Sequence, residues 1–319
     1  MNNLGNLKKL WGNKSFQKGL IGGVMLLTVG GFTYFFVKHP QYLHSLKHIS
    51  IYTLLYLLGL YALVQLVLVA VSHFTLKLCD KNISLLENFL LMNYSTLVNF
   101  FGPLQSGPGF RAVYLKSKHG VRIRDYTLAS LIYYGMFALI SAVFLGMGGL
   151  KLWQTIILVI GIMVVFGVGI SWYKKRDKAP NQDSKLRISA SALTGLFIFT
   201  LLQLILISII YYIELKTVNN GVSFKHALIY SGAANFALFV SLTPGAIGFR
   251  ESFLLLSRRL HHISTSVILA ASIIDRGVFL VFLGILFIFI VIFHVGKRLK
   301  VTTSKQEKPL VPASDVPQN

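Results

Sequence analysis

The stretch "TPGAIGFRE", Thr243 to Glu251, decides how this chain is read. It interrupts an apolar run that begins near Ala227 and ends in two adjacent charges, Arg250 and Glu251. Pro244 removes a backbone donor, and Gly245 and Gly248 reach positive φ, so together they permit a tight reversal. A second stretch, "GPLQSGPGFR" from Gly102 to Arg111, follows another apolar run and offers Pro103, Gly107, Pro108 and Gly109 for the same purpose. Irregular backbone at membrane depth survives only where protein or a water-filled cavity covers it. Each break is therefore expected at the tip of a re-entrant hairpin, with a returning helix that begins near Phe110 or Phe249. The start of such a helix presents unpaired N–H groups and about half a positive charge, a setting that favours an anion.

The rest of the chain supplies the bilayer. Of 319 residues 54% are hydrophobic and 13% charged, against about 25% charged in a soluble domain. The 31 Lys+Arg and 10 Asp+Glu leave a net charge of +21. The basic residues cluster in short runs between apolar stretches, which reads as topology signals and anionic-lipid contacts rather than nucleic-acid binding. The single cysteine, Cys79, excludes an intrachain disulfide and a CxxC site.

Apolar stretches long enough to span the bilayer run from about Leu20 to Val37, Ile51 to Val71, Thr127 to Gly149, Leu152 to Tyr173, Ala190 to Ile213 and Val278 to Val295. With the basic N-terminus inside and two re-entrant hairpins, the strongly basic loops Arg111–Arg124 and Lys174–Arg187 and the tail from Lys297 fall on the cytosolic side. The weakly charged loops around Lys38 and Glu214 fall outside. The expected fold is all-α and integral to the membrane: about six transmembrane helices plus two re-entrant hairpins, both termini cytosolic. Residues 1–19 form a basic N-terminus, 20–296 the membrane domain, and 297–319 a disordered tail.

The two breaks belong to a duplicated unit, about residues 84–149 and 222–296. "GFR" recurs at Gly109–Arg111 and Gly248–Arg250; "ASLIYYGMF" (Ala129–Phe137) aligns with "ASIIDRGVF" (Ala271–Phe279); Asn99-Phe100 corresponds to Asn235-Phe236. Three spans lie between the breaks, so the units are inverted, an arrangement transporters use with broken helices that meet near the midplane.

The candidate binding residues follow from this layout. Arg111 and Arg250 stand beside the expected helix starts, and an arginine at the bilayer centre costs about 2.5–3.5 kcal/mol on insertion scales. A phosphate offsets that cost through bidentate hydrogen bonds. Asp275 and Arg276 interrupt the last apolar region and can pair with Arg250 and Glu251 or meet the ligand; Asn99 and Asn235 complete the set. Purely structural roles compete: a local Arg250–Glu251 pair, Arg111 reaching the cytosolic interface, an Asp275–Arg276 packing pair, and asparagines as helix glue. No P-loop, GxSxG, HExxH or dinucleotide fingerprint is present. No cofactor or metal is expected, and no enzyme activity.

"TPGAIGFRE" resembles the P-G-x-x-G-x-R-E signature of the transmembrane region of lysylphosphatidylglycerol synthases, whose stand-alone relatives are often called flippase-like membrane proteins. Gly107, Arg111 and "AVYLKSKHGV" look like that family's G-x-x-x-R-x-x-x-L pattern, and Arg276 sits where the family usually has an arginine. The resemblance covers about Ser50 to Val295. Two departures stand out: Pro108 replaces an acid, and Tyr133-Tyr134 replace Glu-Arg, so the first half-site has lost charge. The aminoacyl-transfer domain of full-length synthases has no counterpart here. The resemblance therefore implies binding and translocation of an anionic or other phosphate-bearing lipid across the cytoplasmic membrane. The alternatives are an accessory subunit that presents lipid to a separate aminoacyl- or glycosyl-transferase, and a lipid-modifying enzyme at the cytosolic face.

Overall fold

A computed structural model of the chain describes residue 37 and residues 50–101, 106–147, 151–175, 186–240 and 249–306. Helices are the only regular elements among them: α1 (Ile51–Leu78), α2 (Leu85–Phe101), α3 (Gly107–His119), α4 (Ile123–Gly146), α5 (Leu152–Lys175), α6 (Ala190–Val218), α7 (Phe224–Val240), α8 (Phe249–Leu256), α9 (Arg258–His261) and α10 (Thr265–Gln306). The expected span Leu20–Val37, apart from Val37, lies outside the described residues, as do Pro103, Pro244, Gly245 and Gly248.

Among the described residues four helices are long and apolar enough to cross a membrane: α1, α4, α6 and the Thr265–Phe293 part of α10. At 29 residues α6 is about 44 Å long, well beyond a hydrocarbon core of about 30 Å. Their outer faces carry exposed Tyr52, Leu55, Leu63, Leu66, Phe197 and Ile198. On α5, Trp153, Ile156, Ile157, Ile160, Met163, Val164 and Val168 are exposed too. A soluble monomer does not display so much contiguous apolar surface; lipid is its natural solvent.

The expected segment limits need four corrections. Glu214 is not in an external loop: α6 continues to Val218 and buries it, at 1% exposure. The last long helix begins at Thr265, not Val278, because Asp275 and Arg276 are ion-paired within the bundle and do not interrupt it. Arg111–Arg124 is not a loop either. It is helical to His119, where Gly120 ends α3 in the left-handed conformation with φ 69°. Helix also continues past the expected tail boundary at Lys297 to Gln306, since no proline lies between Thr265 and Pro309.

Two hairpins are set into this bundle. In the first, α3 folds back along α2: the Gly107 N–H donates to Asn99 Oδ1 at 3.3 Å, and Ser106 Oγ donates to the Val98 carbonyl at 3.1 Å. A Cβ on Gly107 would stand 2.8 Å from the Ser95 carbonyl oxygen, so the limbs touch only because residue 107 is glycine. The open end is tied by Glu87 at the start of α2, which pairs with Lys118 at 2.8 Å and His119 at 2.7 Å at the end of α3. Burial by itself would raise the Glu87 carboxyl, but hydrogen bonds from Lys118, Tyr114 and His119 outweigh it and hold it at about 2.

The second hairpin repeats the plan. Its open end brings His226, at the start of α7, to His262, just past α9, with ring centroids 6.4 Å apart; Tyr230 and His261 approach to 5.5 Å. His261 is buried and neutral: its Nε2–H donates to the Leu254 carbonyl at 3.0 Å, its Nδ1 accepts from the Ile263 N–H at 3.3 Å, and burial pushes its pKa down.

The hairpins open toward opposite ends of α6. The first lies against the end of α1, where Asn88 accepts from Ser72 Oγ and donates to the Val69 carbonyl; the same end of α1 meets the segment entering α6 through the Arg187 N–H and the Leu78 carbonyl, 2.8 Å apart. The second lies against the far end of α6, where Tyr212 packs on Phe224 with centroids 5.6 Å apart.

Candidate functional site

Halfway along α1, α4, α6 and α10 the helices part around a cavity of about 320 Å³. Arg111 and Pro108 reach its wall from α3, Arg250 from α8, Asp275 and Arg276 from α10, Asn99 from α2 and Asn235 from α7. Sequence positions more than a hundred residues apart thus share one chamber, with both hairpins contributing from near their closed ends.

The second unit builds an ion-pair network. Arg250, 6% exposed, places Nη1 2.6 Å from Asp275 Oδ2 and donates from Nη2 to Ser272 Oγ at 3.1 Å. Ser272 Oγ donates in turn to Glu251 Oε1 at 2.6 Å, and Arg276 Nη2 reaches the same oxygen at 3.2 Å. Tyr61 Oη, from α1, donates to Asp275 Oδ1 at 2.7 Å, and the Arg250 guanidinium lies over the Tyr211 ring, 5.8 Å from its centroid. Two guanidinium groups and two carboxylates therefore neutralise one another here. Glu251 is not on the cavity wall; it stands between Arg250 and Arg276 and fixes both.

The first unit lacks those acids. Tyr133 occupies the position equivalent to Asp275, and Ala112 the position equivalent to Glu251. Arg111 is 9% exposed. It donates from Nη1 to Met92 Sδ at 3.2 Å and hydrogen-bonds Tyr134, but its Nε has no partner. Among the described residues no carboxylate pairs with it. A cation taken out of water without a counter-ion costs several kcal/mol. Arg111 is thus the unneutralised charge on this wall.

Asn99 and Asn235 line the cavity but are also tied into the fold. Asn99 Oδ1 accepts from the start of α3, and Asn235 Nδ2 donates to Ser231 Oγ one turn back at 3.3 Å. Gly107, Pro108 and Gly109 do not make the expected reversal but form the first turn of α3, where a proline is tolerated because the N–H it lacks would be unpaired. Gly107 allows close approach, and a Cβ on Gly109 meets open space.

Sequence reasoning passed over six polar wall residues: Tyr61, Gln65, Ser95, Thr96, Gln203 and Tyr211. Gln65 donates to Asn93 Oδ1 at 2.7 Å and accepts from Thr96 at 3.1 Å; Gln203 accepts from the Tyr133 hydroxyl at 3.0 Å. Their signal was available, since a polar side chain inside a span is costly and faces the bundle interior. Glu214 was missed because it follows the last residue of an apolar run.

Apolar helices long enough to cross a bilayer, packed around a charged midway chamber, fit a multi-pass membrane protein. The chain belongs to the lysylphosphatidylglycerol synthase TM region family, whose model matches residues 20–287. That family ties it to lipid modification and translocation. No curated protein and no solved structure matches the chain.

Proposed function

We propose that the protein binds the phosphate of an anionic membrane lipid in the central cavity and passes the lipid between leaflets, without chemical change. In this reading α2–α3 and α7–α9 are re-entrant hairpins dipping from opposite faces of the cytoplasmic membrane. Leu20–Val37, α1, α4, α5, α6 and α10 are six spans, and both termini face the cytosol. The observation that carries the reading is Arg111, a buried cation with no carboxylate partner among the described residues, on the same chamber wall as Arg250. A phosphodiester supplies the missing charge and fits a guanidinium fork. Presentation of the same lipid to a separately encoded transferase would use the same site.

The test is lipid movement in proteoliposomes that contain the full chain and fluorescent phosphatidylglycerol. Wild type exchanges the lipid between leaflets; Arg111→Ala slows exchange at least tenfold while Arg111→Lys retains part of it. Equal rates in wild type and Arg111→Ala overturn the phosphate role. Wild type that binds the lipid without moving it assigns the protein to presentation. Inorganic phosphate, titrated in parallel, binds far more weakly than a short-chain lipid; equal affinity overturns the lipid reading.

A further inference from the structure

The geometry points to a proton-binding site at Glu214 linked to anion occupancy of the cavity, so that the protein takes up a proton together with its lipid. The inference rests on the anion site proposed above.

Glu214 lies on α6 behind the cavity wall, 1% exposed, and its Oε1 has no hydrogen-bond partner. The groups that face it are Tyr61 from α1, Asp275 from α10, Arg250 from α8, Tyr230 from α7 and Tyr211 one turn back. None gives it an unshared donor. The single hydroxyl hydrogen of Tyr61 goes to Asp275 Oδ1 at 2.7 Å, and Arg250 Nη1 goes to Asp275 Oδ2 at 2.6 Å. A buried carboxylate left with one shared hydroxyl and an unpartnered oxygen is what folded proteins avoid. A carboxylic acid escapes the difficulty, because it brings its own O–H and the Tyr61 oxygen retains lone pairs to accept it.

The charge count agrees. Arg250, Arg276, Glu251 and Asp275 sum to zero, so an ionised Glu214 would leave one negative charge behind the wall that the anion must approach. Protonated, it leaves that wall neutral and Arg111 free to attract. The step is Glu214–COO⁻ plus H⁺ to Glu214–COOH, with the proton drawn from water and no electrons exchanged. By linkage, whatever the proton does for the anion, the anion does for the proton.

The experiment uses the full chain in detergent, dihexanoyl phosphatidylglycerol as probe, and a pH dye in lightly buffered solution. Wild type binds the probe progressively more weakly as pH rises, approaching about tenfold per pH unit once the proton is off, and takes up a proton on binding in that range. Glu214→Gln, which carries the neutral amide at every pH, binds with a flat pH profile and no proton uptake. If wild type binds with a flat profile between pH 5 and 9, or if Glu214→Gln keeps the wild-type profile, the proton site is overturned and the anion site stands. If wild type does not bind the probe at any pH, the anion site falls and the proton site with it. Should Glu214→Gln fail to fold, the wild-type profile and dye signal decide between these outcomes.

Discussion

At the scale of single residues, the two unit arginines have opposite needs. Arg250 is matched by Asp275, so Asp275→Ala strands a buried guanidinium. Loss of one partner of such a pair costs about 3–5 kcal/mol, and thermal unfolding in detergent should show a correspondingly lower midpoint. Arg111 has no carboxylate to lose. Arg111→Met is expected to leave the unfolding midpoint unchanged or raise it while abolishing lipid binding; a midpoint that falls as far as that of Asp275→Ala would mean Arg111 is structural. Cys79 offers a third check, because burial foremost, with the nearby Asp125 charge, pushes its thiol up to about 12. The folded protein should stay unlabelled by maleimide at pH 7.5 and react only on unfolding. The charged members of the site were legible in the sequence, since an ionisable residue in an apolar context announces itself. The pairing of Glu251 with Arg276 was one of several open arrangements, because it depends on helix rotation, which spacing does not fix.

At the scale of elements, the hairpins stand on close backbone approach and on their tied open ends. A Cβ on Gly232 would lie 2.6 Å from the Leu145 backbone nitrogen and 2.8 Å from the Ser141 carbonyl oxygen. Gly232→Ala must therefore push α7 off α4, at about 1–3 kcal/mol for overpacking. Gly59→Ala, where nothing lies within 4 Å, is the control that should not lower the midpoint. The first hairpin adds a pH signature. Because the Glu87 carboxyl is depressed from 4.5 to about 2, its contribution is fully present above pH 4.5 and is lost as pH falls toward 2. Wild type should lose thermal stability over that window, and Glu87→Gln should lose less. The breaks fall largely outside the described residues, and Gly107–Gly109 begin α3 instead of turning the chain. The start of α10 was not readable in sequence, because Asp275 and Arg276 end an apolar run in sequence but are absorbed by partners in space.

At the scale of the whole molecule, duplication places the chamber. Tyr61, Tyr134, Gln203 and Phe279 lie near the middle of α1, α4, α6 and α10 respectively, and all four reach the same cavity. The repeat was visible in sequence through "GFR" and the two nine-residue matches, yet it could not show that Gln65 and Gln203 also meet there. The close seating of Gly232 on the Ser141–Leu145 turn carries a mechanical meaning. With no side chain between them, α7 and α4 are clasped spine to spine, one from each repeat. A shift of α7, one limb of the second hairpin, therefore carries α4 of the other repeat with it.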